Sequence, residues 1–188
     1  MSQLGPAKKP FQIMSLDTIG GFGGQRSTKK YLHLLVDHFT RFAYILCSKN
    51  QHARDFIKLI EKISKEDPID ILLSDQYPAI NSIEFKNYLE NRNIQLILTA
   101  VDTPFSNGLN ERLNQTIVNK IRCTMNGTKG KTNHSVTGFS PKYLLSGEST
   151  DLLPHELKGK QLLTKNLEED RKIALQRSIK SHEYNKTL

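Results

Sequence analysis

Short apolar segments separated by polar turns dominate the first half of the chain and predict five β-strands. They cover residues 11–19, 31–39, 42–47, 69–74 and 94–98. Only a short turn separates the second and third segments, which are therefore expected to form a hairpin. The fourth segment is apolar almost throughout, which is typical of a strand buried on both faces of a parallel sheet.

Helical periodicity lies between and after these strands. Apolar residues spaced by three and four predict a helix over residues 53–63, with Asn50 as its N-cap. Asn81 and Glu84 form an N-cap and N3 pair for a second helix. Further helices are predicted over residues 109–121, over residues 141–145, and after an N-cap at Asn166.

The order of these elements indicates the fold class. Three strands, then a helix, a strand, a helix and a strand, favour a mixed α/β sheet that combines an antiparallel hairpin with parallel crossovers. Asp17 lies in the first strand and Asp75 directly follows the fourth. If those two strands are adjacent, Asp17 and Asp75 lie side by side at the edge where open α/β sheets place functional groups.

Three acidic residues carry the candidate chemistry. Asp17 and Asp75 interrupt or follow apolar strands, Glu111 opens a predicted helix, and 35 residues separate Asp75 from Glu111. Carboxylate oxygens are the ligands that Mg²⁺ prefers, and an Asp in an apolar strand is costly unless it is paired or metal-bound. Together the three acids predict an oxygen-only site for a hard divalent metal, as used in phosphodiester chemistry.

Each candidate also has an ordinary interpretation. Asp75 alone is a typical turn or cap residue, and Glu111 alone is a typical residue of a first helical turn. Asp37, near a strand end, is compatible with an ordinary hydrogen-bonded acid. Because no Cys pair accompanies His33 and His38, both are interpreted as strand or turn residues.

Charge and composition add a polyanion to the candidate partners. Of the net charge of +8, residues 1–118 contribute +2 and residues 119–188 contribute +6. A solvated basic surface is the alternative explanation. No apolar stretch has the length of a membrane span and no secretory signal is recognisable, so no membrane partner is expected. Cys47 and Cys123 are interpreted as buried or half-buried apolar residues, which fits a reducing, intracellular setting.

The segments around the three acids resemble a known family. LDTIG (16–20), LVDHFTRF (35–42), LSDQ (73–76) and SNGLNERLNQ (106–115) are similar to the catalytic core of retroviral and retrotransposon integrases, and most similar to the Ty3/gypsy type. TNHSVTGFSP (132–141) and YLLSG (143–147) resemble the segment that ends such cores.

The resemblance implies an RNase H-like fold, with a five-stranded sheet flanked by helices, and polynucleotidyl transfer for DNA integration. Family members trim the 3′ ends of element DNA with water and then use the freed 3′-hydroxyl to attack target DNA. Asp17, Asp75 and Glu111 are thereby implied as catalytic residues and as ligands of two Mg²⁺ or Mn²⁺ ions. The implied DNA-binding residues, for which a solvated helix face is the alternative, are Ser106, Asn107, Gly108, Arg112, Asn114, Gln115, Lys120 and Arg122.

On this basis the chain divides into an irregular lead-in (1–10), an integrase-type core (11–150) and a connecting, helical tail (151–188). The family's N-terminal zinc-binding region and its C-terminal chromodomain or small β-barrel have no counterpart in the sequence. The core is also expected to lack one helix after residue 125, which would weaken a homo-oligomer. A deletion, a splice product and a gene-model error each explain that gap.

Three functional hypotheses follow. The first is an integrase-type core that acts on element ends and target DNA inside the cell, with the nucleus as the expected location. The second is a relic or co-opted fragment that at most binds DNA without catalysis. The third, a ribonuclease H or another nuclease on the same fold, is disfavoured because the closing motif resembles integrases.

Overall fold

A five-stranded sheet organises the chain in the computed structural model, which describes residues 5–20, 31–63, 67–98, 136–147 and 166–186. The strands are β1 (Ile13–Gly20), β2 (Tyr31–Asp37), β3 (Ala43–Ser48), β4 (Ile71–Ser74) and β5 (Gln95–Leu98). The helices in these ranges are α1 (Ala53–Ile60), α2 (Ile83–Glu90), α3 (Pro141–Ser146) and α4 (Leu167–Lys186). None of these helices is both long enough and apolar enough to cross a bilayer.

The strand order in the sheet is β3-β2-β1-β4-β5. β2 pairs antiparallel with β1 and with β3, whereas β4 pairs parallel with β1 and with β5. α1 and α2 provide the connections that parallel strands require, since two parallel neighbours cannot be joined by a tight hairpin. The mixed, five-stranded α/β sheet expected from the sequence is confirmed, as is a helical C-terminal segment.

Alternation along the strands divides their side chains between two faces of the sheet. On the first, which we call the α1–α2 face, Met14, Leu16 and Leu72 pack with Phe56 of α1 and Phe85 of α2. All five of these side chains are almost completely buried. This face therefore holds the main hydrophobic core.

The opposite face of the sheet carries a smaller cluster that includes a contact from α4. Ile13, Phe39 and Leu73 are buried there, and Leu175 of α4 packs against them. The helical tail predicted from the sequence thus contributes to the core instead of only extending from it.

Polar contacts fix α4 beside α3. The Tyr143 hydroxyl donates to the Asp170 carboxylate at 2.7 Å. The Arg171 guanidinium donates to the carbonyl oxygens of Leu144 and Leu145 at 2.9 and 2.8 Å. Because these carbonyls belong to the last turn of a short helix and lack partners within it, Arg171 caps α3 from outside.

A buried acid organises the turn between β2 and β3. The Asp37 carboxylate accepts the backbone N–H groups of Phe11, Phe39 and Thr40 at 3.0–3.2 Å and the Thr40 hydroxyl at 2.6 Å. Burial raises the pKa of Asp37, and these hydrogen bonds oppose the rise. The hydrogen-bonded acid that the sequence suggested is confirmed.

This turn also explains why two strands are shorter than predicted. β1 begins at Ile13 because Phe11 has a φ of 61° and gives its N–H to Asp37. β2 ends at Asp37 because the following residues fold back onto that carboxylate. β3, β4 and β5 differ from the predicted bounds by one or two residues.

Both predicted N-caps of the first two helices were wrong. α1 is capped by His52 and not by Asn50. Asn50 lies in the preceding loop, and its carbonyl oxygen accepts a hydrogen bond from Ser48, the last residue of β3. α2 is capped by Ser82 and not by Asn81, since the Ser82 hydroxyl accepts the Phe85 N–H at 3.3 Å. The predicted cap at Asn166 is confirmed, because its side-chain oxygen accepts the N–H of Glu168 at 3.0 Å.

The prediction for Cys47 was also wrong. This residue is exposed on β3, the strand at one edge of the sheet in the described part of the chain. Cys123 lies outside the described residues.

Burial of His38 makes the stability of the fold depend on pH. Desolvation, followed by the charge of Arg41, lowers the pKa of His38 to about 3 from its usual 6.5. The unfolded chain takes up this proton below pH 6.5, so the stability that neutral His38 provides is lost as the pH falls toward 3. We expect His38→Leu to reduce the slope of unfolding free energy against pH by up to about 1.4 kcal/mol per unit.

Denaturant unfolding between pH 7 and roughly 5, a range above most carboxylate titrations, measures this slope. Burial also lowers the pKa of His33, so the variant should keep part of the dependence. A slope equal to that of the wild type would contradict the assignment to His38.

Candidate metal centre

Parallel pairing brings Asp17 and Asp75 next to each other. The register of β1 and β4 ends with Leu16 aligned to Ser74; Asp17 is the next residue within β1, and Asp75 directly follows β4. Neighbouring strands lie about 4.8 Å apart. The adjacent first and fourth strands that the side-by-side arrangement requires are therefore confirmed.

Alternation along β1 places Asp17 on the face that also carries Ile13. Asp17 follows Ile13 in steps of two along β1, and Asp75 follows Leu73. Ile13 and Leu73 belong to the cluster on the opposite face. Both acids are half-buried, so the end of this strand pair presents two carboxylates that are only partly solvated.

Backbone hydrogen bonds shape the surroundings of each acid. The Thr18 N–H donates to the Asp17 carboxylate at 2.6 Å. The Tyr77 N–H donates to the carbonyl oxygen of Asp75 at 2.9 Å and closes a turn directly after β4. These bonds restrict the backbone that carries the two carboxylates.

The charges of both acids act on the pKa of Tyr77. Its pKa is raised first by burial and then by the negative charges of Asp17 and Asp75. The aromatic ring packs against the main core, so the phenol lies between apolar side chains and the acidic pair. Two like charges that act on one phenol mark a locally negative site, which favours a cation.

Asp17 and Asp75, the two predicted ligands within the described residues, fit a hard divalent cation. Two adjacent, half-buried carboxylates supply oxygen ligands, and their mutual repulsion falls when a cation lies between them. In the five described ranges, no group of three His, Cys, Asp or Glu side chains is close enough to hold a metal. Glu111, the third predicted ligand, lies outside these ranges.

The predicted DNA-binding residues also lie outside the described part of the chain. They are Ser106, Asn107, Gly108, Arg112, Asn114, Gln115, Lys120 and Arg122. Their roles, like the predicted gap after residue 125, stay predictions.

A groove beside the start of α1 was not predicted. It has a volume of about 670 Å³ and lies between the start of α1 and the turn that leads into α2. Lys49, Arg54 and Lys58 contribute positive charge to its lining, and Arg54 pairs with Glu84 at 3.2 Å. Sequence periodicity gives no signal for this groove, because its walls come from separate segments.

Comparison with known proteins identifies a family. Residues 7–104 match the model described as the integrase core domain, which is slightly more than half of the 188-residue chain. The matched segment contains Asp17 and Asp75 and ends before Glu111.

Curated relatives are much longer polyproteins. The Pro-Pol polyprotein of feline foamy virus is 33% identical over 111 residues, which cover 58% of this chain and 9% of the relative. The retrovirus-related Pol polyprotein from transposon TNT 1-94 of Nicotiana tabacum is 31% identical over 120 residues, covering 62% and 8%. The chain thus spans less than a tenth of the length of these relatives.

Solved structures share the fold. A chain in the simian T-cell lymphotropic virus intasome, in complex with PP2A regulatory subunit B56 gamma, has a TM-score of 0.61 at 19% identity and covers 84% of this chain and 61% of that one. The catalytic core domain of BIV integrase has a TM-score of 0.56 at 13% identity and covers 71% and 93%. These likenesses confirm the RNase H-like architecture.

Neutralising one acid should be detectable at Tyr77. We expect Asp75→Asn to lower the pKa of Tyr77, because it removes one of the two charges that raise it. Titration of tyrosines labelled with ¹³C, followed by NMR, measures the change.

The matched control is Asp70→Asn, which removes an acid just before β4 that pairs with Lys9 at 3.1 Å. Tyr77 should titrate in this control as in the wild type. An equal pKa of Tyr77 in both variants would show that the acidic pair does not act on the phenol.

Proposed function

Because this chain belongs to the integrase core domain family, we propose that it is the catalytic core of a polynucleotidyl transferase acting in DNA integration. The placement of Asp17 and Asp75, each one residue beyond the last aligned pair of the parallel strands β1 and β4, carries this proposal. In the proposed reaction, water first cleaves a phosphodiester near the 3′ end of the element DNA. The freed 3′-hydroxyl then attacks a phosphodiester of target DNA.

The residues proposed to hold divalent cations are Asp17, Asp75 and Glu111, the last by resemblance. When bound, two Mg²⁺ or Mn²⁺ ions would activate the attacking hydroxyl and stabilise the leaving oxygen. Asp17 and Asp75 supply hard oxygen donors for such ions, whereas the cysteine within the described residues, Cys47, is exposed on β3, the edge strand.

Local contacts prepare the acids for this role. The hydrogen bond from the Thr18 N–H limits the orientations of the Asp17 carboxylate. The raised pKa of Tyr77 keeps its phenol neutral, so this side chain can donate a hydrogen bond beside the acids without adding negative charge. Partial burial strengthens the attraction between the carboxylates and a cation relative to bulk water.

DNA is the proposed substrate and partner. The positive charge is concentrated in residues 119–188, which carry +6 of the net +8. Within the described residues, Lys49, Arg54 and Lys58 contribute positive charge to the lining of the groove, together with the acids Asp55 and Glu84. A binding mode of this kind predicts weaker association as the salt concentration rises.

Replacement of the acids should abolish catalysis while DNA binding persists. We expect Asp17→Asn, Asp75→Asn and Glu111→Gln each to lower Mg²⁺-dependent strand transfer or disintegration by roughly a thousandfold or more. Each variant removes a proposed metal ligand and keeps the size of the side chain. A labelled short duplex and gel separation of the products measure the activity.

Asp70→Asn is the control, because it removes an acid near β4 whose exposed ion pair with Lys9 contributes little to stability. Its activity should stay within about twofold of the wild type. A wild-type chain that binds DNA but performs neither reaction in Mg²⁺ or Mn²⁺ would replace this proposal with the non-catalytic DNA-binding module.

A further inference from the structure

A hydrogen-bonded chain of side chains crosses β1, β2 and β3 next to Asp17. His33 of β2 is completely buried and lies at its centre. Its Nδ1 lies 2.9 Å from the Thr18 hydroxyl of β1, and its Nε2 lies 2.6 Å from the Ser48 hydroxyl of β3. Nε2 also lies 3.2 Å from the carbonyl oxygen of Asn50.

The acceptors determine which ring nitrogen carries the proton. A carbonyl oxygen only accepts, so the Nε2 that faces Asn50 must donate. Ser48 gives its own proton to the same carbonyl oxygen and can therefore accept from Nε2. Nδ1 then accepts from the Thr18 hydroxyl, so each hydrogen bond in this series has a defined donor and a defined acceptor.

Burial supports this neutral form of the ring. Desolvation, opposed by the hydrogen bond to Asn50 and the charge of Asp55, lowers the pKa of His33. The edge of Phe56 packs against the imidazole with ring centroids 4.8 Å apart. The imidazole therefore has one tautomer and one orientation.

Thr18 connects this chain to Asp17. The Thr18 hydroxyl points to the α1–α2 face, where His33 holds it, while the Thr18 N–H donates to the Asp17 carboxylate at 2.6 Å. One residue thus has its side chain fixed on one side of the sheet and its amide fixed to an acid on the other. The His33 contact therefore adds a side-chain restraint, beyond the pairing of β1 with β2, on the residue whose amide binds Asp17.

Asn50 connects the other end of the chain to the groove. It lies in the loop between β3 and α1 and lines the groove together with Lys49. The same imidazole therefore contacts both Thr18, the residue after Asp17, and the loop that lines the groove.

We propose that His33 is a positioning residue that, through Thr18, holds Asp17 in the orientation in which it binds a divalent cation. The proposal rests on the proposed metal-dependent function. Partners behind a metal ligand commonly change metal affinity by about 10–100-fold when they are removed. An ordinary core histidine, by contrast, would affect unfolding and leave metal affinity unchanged once the chain is folded.

The test uses the whole chain and Mn²⁺ as the probe, because Mn²⁺ binding is measured directly by electron paramagnetic resonance. Thr18→Val removes the hydroxyl and keeps a β-branched shape suited to a strand. Thr18→Ser keeps the hydroxyl and is the matched control. We expect Thr18→Val to weaken Mn²⁺ binding by about tenfold. Thr18→Ser should bind Mn²⁺ with an affinity close to that of the wild type.

His33→Phe and the double variant complete a thermodynamic cycle. If His33 acts through Thr18, His33→Phe weakens Mn²⁺ binding. The double variant should then bind Mn²⁺ with about the affinity of the weaker-binding single variant. Thermal unfolding of each protein shows which variants are folded, and the comparison of Thr18→Val with Thr18→Ser stands even if His33→Phe does not fold.

Asp75→Asn separates this proposal from the one on which it rests. Mn²⁺ binding that survives Asp75→Asn unchanged would overturn the metal centre itself. If Asp75→Asn removes Mn²⁺ binding while folded Thr18→Val binds as tightly as Thr18→Ser, the metal centre stands and the positioning role of His33 is overturned.

Discussion

The parallel pairing of β1 with β4 is the constraint on which the candidate site depends. With Leu16 aligned to Ser74, an acid comes next in each segment: Asp17 within β1 and Asp75 directly after β4. A slip of one residue would send one carboxylate to the α1–α2 face, because side chains alternate. Burial of Met14 and Leu72 on one face and Ile13 and Leu73 on the other prevents that slip, so the hydrophobic core sets the geometry of the polar site.

The sequence predicted the parts of the fold that depend on short-range pattern. Five apolar segments became five strands, and the position of Asp75 directly after a continuous apolar segment was enough to place it at a strand end. Asp17 and Asp75 could be paired in advance because parallel strands end at the same edge of a sheet. The resemblance around these acids then supplied a chemistry that spacing alone left open.

Other features depend on contacts that no local pattern contains. Asn50 has the composition of an N-cap, but its carbonyl is used by Ser48 and His33, and α1 begins later. His33 resembled an ordinary strand residue because its side-chain partners, Thr18 and Ser48, come from neighbouring strands. The groove could likewise not be predicted from local sequence pattern, because its lining is assembled from separate segments.

The contact of α4 with the opposite face has a consequence for the order of folding during synthesis. All five strands, α1 and α2 leave the ribosome before Leu175 is made, so the main core can form while the cluster around Ile13 and Leu73 still lacks that contact. The contact between Leu175 and this cluster has a large sequence separation, and contacts of this kind form slowly. A nascent chain therefore exposes part of the face that carries Asp17, a surface on which chaperones can act.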